Sequence, residues 1–178
     1  DGTTYQPLVY NDKMSRIYYI GQVVPVDGVQ TKTGFVPIGQ TTAFTGKFDC
    51  NGYELRDFHV CSNLQNVDII GYQDKVNSSA NKTTIIKSVG HTIIGFGSTS
   101  TLAKAGLIGY NYRYRIINDS HSTGSISGTG NINTYIGGLV GLNNASAQVN
   151  NSYSTGSVNG AGNSATYIGG IVGWNTNS

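Results

Sequence analysis

One six-residue pattern returns at a fixed interval of thirty-two residues, and few folds tolerate that. Gly106-Leu107-Ile108-Gly109-Tyr110-Asn111 comes back as Gly138-Leu139-Val140-Gly141-Leu142-Asn143, then as Gly170-Ile171-Val172-Gly173-Trp174-Asn175. The last two copies agree over a longer span, Ser120 to Asn143 and Ser152 to Asn175. They share Ser-x-Ser-Thr-Gly-Ser, Tyr-Ile-Gly-Gly and Val-Gly-x-Asn. An ungapped repeat of this length predicts a solenoid, because a single unit buries its apolar face only by stacking on its neighbours.

Composition selects the kind of solenoid. Charged residues are 11% of the chain, against roughly 25% in an average soluble protein. Gly, Ser, Thr and Asn take their place; all are weak helix formers. Twelve Tyr and many Ile and Val favour strands. The prediction is an all-β parallel β-helix, about three short strands per turn, for example 135–142, 148–153 and 156–159. Equivalent residues then lie about 4.8 Å apart along the axis. This stacks Asn111, Asn143 and Asn175 in one column, where side-chain amides can bond to one another. It also aligns Tyr110 with Leu142 and Trp174, Tyr135 with Tyr167, and His121 with Tyr153. The glycine pairs at 106 and 109, 138 and 141, and 170 and 173 permit tight corners or close backbone approach.

Residues 1–34 lack the repeat. They are expected to cap the first rung or to pair with another subunit, and 35–178 to form the solenoid. Asn51-Gly52 predicts a turn. The apolar alternation of Tyr53 and Leu55 slips before Phe58 and Val60, near Asp57. The polar stretch 73–82 reads as a loop.

The net charge of +2 gives no steering towards nucleic acid. No apolar run approaches the roughly 18 residues of a membrane span, so no membrane insertion is expected. Beyond Arg115 only Asp119 is formally charged, and solubility there rests on hydroxyls and amides. Cys50 and Cys61 are the only cysteines. A disulfide is the expectation and a pair of reduced core thiols the alternative. A zinc site would need about four ligands, and only His59 is near.

Catalytic patterns are absent. His59, His91 and His121 are followed by Val, Thr and Ser, so no His-Glu-x-x-His exists. No Gly-x-Ser-x-Gly surrounds a serine. Glycoside hydrolysis needs two carboxylates across a cleft, whereas Asp49, Glu54 and Asp57 are spread around a turn and the strand after it. Calcium needs several oxygen ligands, and the repeats lack the acidic pattern that supplies them. No cofactor or metal is expected. Tyr112, Arg113, Tyr114 and Arg115, if on a strand, alternate aromatic and cationic faces. With Tyr135, Tyr153 and Tyr167 they are candidate surface contacts for a ligand. Asn77, Asn81, Asn118, Asn144 and Asn150 begin Asn-x-Ser/Thr sequons and are candidate glycosylation sites.

Gly-Leu-Val-Gly-x-Asn, Asn-Ser-Tyr-Ser-Thr-Gly-Ser-Val and Gly-Gly-Ile-Val-Gly-Trp-Asn together resemble the GLUG motif. That repeat is found in large bacterial surface adhesins and in the non-catalytic part of some IgA-specific metallopeptidases. The stretch from Phe35 to Gly52 resembles the segment that commonly precedes such repeats, with Cys50 where Gly is usual. The resemblance implies a right-handed, extracellular or cell-surface β-solenoid without catalytic residues. The expected role is a structural and adhesive module whose partners are glycans or host and cell-surface proteins. The alternatives are a subunit of a head-to-tail, pilus-like filament and, third, a carbohydrate-active β-helix enzyme.

Overall fold

The computed structural model describes residues 37–62, 66–74, 83–96, 103–130, 133–162 and 165–176. The expected cap at 1–34 and the sequons at Asn77 and Asn81 lie outside them. None of the described residues is helical, and no helix is long and apolar enough to cross a membrane.

The described residues wind through four successive coils of five short strands. The first holds β1 (Phe48–Asp49), β2 (Leu55–Arg56), β3 (His59–Ser62), β4 (Asn66–Val67) and β5 (Ile70–Gln73). The second holds β6 (Thr83–Ile85), β7 (Lys87–Val89), β8 (Thr92–Phe96), β9 (Ala103–Ala105) and β10 (Ile108–Asn111). The third holds β11 (Ile116–Asn118), β12 (His121–Ser122), β13 (Ser125–Gly130), β14 (Thr134–Gly137) and β15 (Val140–Asn143). The fourth holds β16 (Gln148–Asn150), β17 (Tyr153–Ser154), β18 (Val158–Gly162), β19 (Thr166–Gly169) and β20 (Val172–Asn175). Each strand pairs in parallel with its counterparts one coil away, giving five four-stranded sheets. The parallel β-solenoid is therefore present, with five strands per coil instead of the expected three.

The extra corners have local causes. The expected strand 135–142 breaks at Gly138-Leu139, and 148–153 breaks at Asn151, which holds φ 47°. Asp119 makes the same corner one coil earlier at φ 48°. Asn and Asp tolerate this left-handed region better than most residues. The predicted turn at Asn51-Gly52 has φ of 49° and 82°, closed by Tyr53 N–H donating to Cys50 O at 2.9 Å. Asp57, with φ 52°, produces the slip in alternation.

The interior is built from apolar columns. Val60, Ile93 and Ile126 stack in one; Val67, Ala105 and Ile136 in a second; Ile70, Ile108 and Val140 in a third, all buried. Each buried Ile, Leu or Val contributes about 1.5–3 kcal/mol. The fold also exposes a copy of the motif that sequence spacing concealed. Asp68-Ile69-Ile70-Gly71-Tyr72-Gln73 lies in register with Gly106 to Asn111. Its connections to the following strands are longer, and Asp and Gln replace Gly and Asn.

Candidate functional site

The paired glycines let two sheets fold onto each other. β14 and β15 lie against one another across the Gly138-Leu139 corner. A Cβ on Gly141 would sit 2.9 Å from Gly109 O, 3.0 Å from Tyr135 O and 3.1 Å from Ala105 N. One on Gly173 would sit 2.6 Å from Ile136 N. Backbone meets backbone here, so the second glycine of the motif is a packing requirement.

This contact brings two outward columns together into an aromatic edge. One column is Tyr72, Tyr110, Leu142 and Trp174; the other is Asn66, Lys104, Tyr135 and Tyr167. Tyr72 stacks on Tyr110 at 5.1 Å, and Tyr110 meets Tyr112 at 5.2 Å. Tyr135 stacks on Tyr167 at 5.3 Å, and Trp174 packs on both, at 4.8 and 5.0 Å. Lys104 Nζ lies 5.2 Å from the Tyr110 ring centre, and Arg113 covers Tyr112 at 4.9 Å. Ring faces are largely consumed by one another. What the edge displays is ring rims, hydroxyls and the polar groups beside them. Asp74 gathers several of these: Tyr72 OH donates to its Oδ2 at 3.1 Å, and Arg113 Nη1 lies 3.6 Å away. Burial and the Asp74 charge hold the Tyr72 hydroxyl protonated well above its ordinary range.

Several expected contact residues are placed differently. Residues 112–115 form a corner and not a strand, since Arg113 and Tyr114 have φ of 44° and 57°. Ala145 and Ser146 repeat that corner at 54° and 59°. Tyr114 is exposed, but Arg115 turns inward and is fully buried, which corrects its reading as a surface contact. Its Nη2 donates to Gln73 Oε1 at 3.0 Å and Thr84 Oγ1 at 3.2 Å, and burial lowers its pKa to about 10. Tyr135 is also buried, under Tyr167 and Trp174. Tyr153 is exposed and stacks on His121, whose Nε2 lies 3.3 Å from Glu54 Oε1. Tyr72, Lys104, Asp74 and Trp174 were not among the expected contacts; the concealed copy of the motif would have supplied Tyr72.

The asparagine column forms as expected and begins one coil earlier, at Gln73. Gln73 Nε2 donates to Asn111 Oδ1, Asn111 Nδ2 to Asn143 Oδ1, and Asn143 Nδ2 to Asn175 Oδ1, each at 2.7 Å. Asn143 Nδ2 also donates to Ala147 O at 2.8 Å, which fixes the orientation of the amide.

Asp68 is a buried exception. It stands where the other copies have the first glycine, and neither of its oxygens has a hydrogen-bond partner of good geometry. Burial raises its pKa well above the carboxylate range, while Lys104 opposes this. Cys50 carries a free thiol, which corrects the disulfide expectation. Its Sγ accepts Lys87 N–H at 3.4 Å, and β1 and β3 belong to different sheets, with the β2 sheet between them in the winding order. The side chain of Cys61 lies outside the described residues. Among the sequons, Asn150 is exposed, whereas Asn118 and Asn144 are half-buried and bonded to Asp119 Oδ2 and Ala145 N–H. Among the described residues, no three His, Cys, Asp or Glu side chains gather as a metal would require.

The family model described as the GLUG motif matches residues 132–159, the span from β14 into β18. That motif is a repeat module, not a known catalytic domain. No curated protein and no solved structure matches the chain. The matched copy stands in register with the coils on either side of it, so the chain carries a GLUG-motif repeat within a parallel β-solenoid.

Proposed function

We propose that this chain is a non-catalytic extracellular module that holds a rigid, weakly charged surface out for adhesion. The observation that carries the reading is the unbroken amide column from Gln73 to Asn175, buried from Gln73 through Asn143. A chain of bonded amides in a dry interior locks the coils in register and resists bending. The third and fourth coils have one formal charge, Asp119, and away from the exposed Ile168, Ile171 and Trp174 their surface is mostly hydroxyls, amides and tyrosines. Such a surface suits neutral glycans or protein faces, through many small contacts. The resemblance to repeats of surface adhesins supports the extracellular placement.

The test is binding of the chain to arrayed glycans and to cell surfaces, beside Tyr114→Ala and Tyr153→Ala. Both residues are exposed, so both variants should keep the parent melting temperature and lose binding several-fold. Binding indifferent to both changes would remove the tyrosine surface from the reading. Release of reducing ends from a polysaccharide would overturn the non-catalytic reading.

The filament alternative draws on the exposed outer edge of the fourth coil, and the polarity of the amide column bears on what that edge receives.

A further inference from the structure

The fourth coil repeats the third in sequence but not in burial. Ile136 is 0% exposed and its counterpart Ile168 is 48%. Leu139 and Ile171 stand at 0% and 39%, Leu142 and Trp174 at 8% and 37%. Each residue of the third coil is covered by the fourth, and among the described residues nothing equivalent covers the fourth. The same strands, β16 to β20, form one outer edge of all five sheets.

The amide column gives that edge a direction. All three amide bonds run the same way, from the side-chain N–H of the earlier coil to the amide oxygen of the later one. The early end is closed, because Gln73 Oε1 already accepts from Thr84 Oγ1 and Arg115 Nη2. The β5 edge is occupied as well, by bridges from Ile38 and Phe44. At the late end Asn175 is exposed, its Oδ1 accepts from Asn143, and its Nδ2 meets no acceptor among the described residues. A serine series runs alongside: Ile86 N–H donates to Ser120 Oγ, and Ser120 N–H to Ser152 Oγ.

We infer that the β16–β20 edge is an assembly surface whose partner is a further coil of the same thirty-two-residue pattern. That coil brings an amide oxygen over Asn175, a serine hydroxyl over Ser152 and a ring or aliphatic side chain over Trp174. The inference rests on the reading of the chain as a solenoid module and names what that module accepts. A second copy docking head-to-tail fits less well, since its first amide acceptor and its β5 edge are already engaged.

The experiment appends a second copy of residues 145–176 after Thr176 and compares this chain with the original, each with and without Asn175→Asp. In the original, aspartate still accepts from Asn143 and its outer oxygen meets water, so the melting temperature should hold. In the extended chain the carboxylate would face an amide oxygen and lose the donor. The expected result is amide exchange in β16–β20 slowed at least about tenfold by the extension, with Asn175→Asp reversing that gain in the extended chain only. Unchanged exchange, or an equal effect of Asn175→Asp in both chains, would overturn the inference. Fibres of the original chain that Asn175→Asp dissolves would overturn it too, in favour of a second copy. A chain that binds no glycan and still accepts the coil would separate this result from failure of the adhesion reading.

Discussion

Phe58 and His91 stack inside the coil, their ring centres 5.3 Å apart and their planes 15° from parallel. Two serines hold the same imidazole: Ser88 Oγ lies 2.7 Å from Nδ1 and Ser122 Oγ 3.2 Å from Nε2. Such a ring serves as a neutral hydrogen-bonding spacer between coils. Burial lowers its pKa from 6.5 to about 4. The unfolded chain therefore takes up a proton that the folded chain refuses. Stability is full above pH 6.5 and falls as pH drops to about 4, by about 3 kcal/mol in all. Urea melts across this window should show the fall in the parent and a flatter profile in His91→Gln.

Asp68 should act in the opposite sense. Its pKa is raised in the fold, so its contribution is full below the ordinary 3.8 and is lost as pH rises through the folded value. Asp68→Asn keeps the shape and abolishes the charge. The variant should melt higher than the parent at neutral pH, with the difference closing towards about pH 3. An Asp68→Asn chain that is less stable at neutral pH would mean that Lys104 compensates the buried carboxylate fully.

Gly141→Ala should destabilise by about 2–3 kcal/mol, because the added methyl meets three backbone atoms and forces two sheets apart. Gly52 offers the control, with open space around its Cβ direction although φ is 82°. Alanine there should cost about 1 kcal/mol, through backbone strain alone. Denaturant melts followed by circular dichroism would separate the two.

Asn143→Leu cuts the amide column in the middle. It leaves the buried Asn111 Nδ2 with only its long 3.4 Å bond to Gln148 O, and Asn175 Oδ1 without its donor. The expected loss is about 3 kcal/mol, more than a single exposed hydrogen bond would give. Hydrogen exchange should rise first in β15 and β20.

Identity in a column is what sequence exposes best. Asn111, Asn143 and Asn175 stand at one interval, so their contact could be read before any coordinates, as could Tyr135 on Tyr167 and His121 on Tyr153. The turn at Asn51-Gly52 and the slip at Asp57 were equally legible, because those residue types are suited to positive φ. The number of faces was not. Asp119 and Asn151 look like ordinary polar residues within strands, and their left-handed backbone follows from the closure of the coil around them. Arg115 misled for a related reason: alternation assigned it to a solvated face, whereas the corner at Arg113 and Tyr114 turns it onto Gln73 and Thr84. The first copy of the motif, ending in Gln73, escaped because it lies thirty-eight residues from its successor. The free thiol of Cys50 depends on which sheet each strand joins, and a pair of cysteines in a sequence carries no such information.

The stacking of coils through parallel ladders has a mechanical consequence. A pull along the axis meets the hydrogen bonds between coils end-on, so the molecule should yield by peeling one coil at a time. A coil of the regular repeat that lets go frees thirty-two residues of slack, about 110 Å when straightened, in place of the roughly 4.8 Å it spanned when wound. A solenoid of this kind lengthens many-fold under load while its remaining coils stay folded, and a tether built from it would absorb a sudden pull instead of transmitting it.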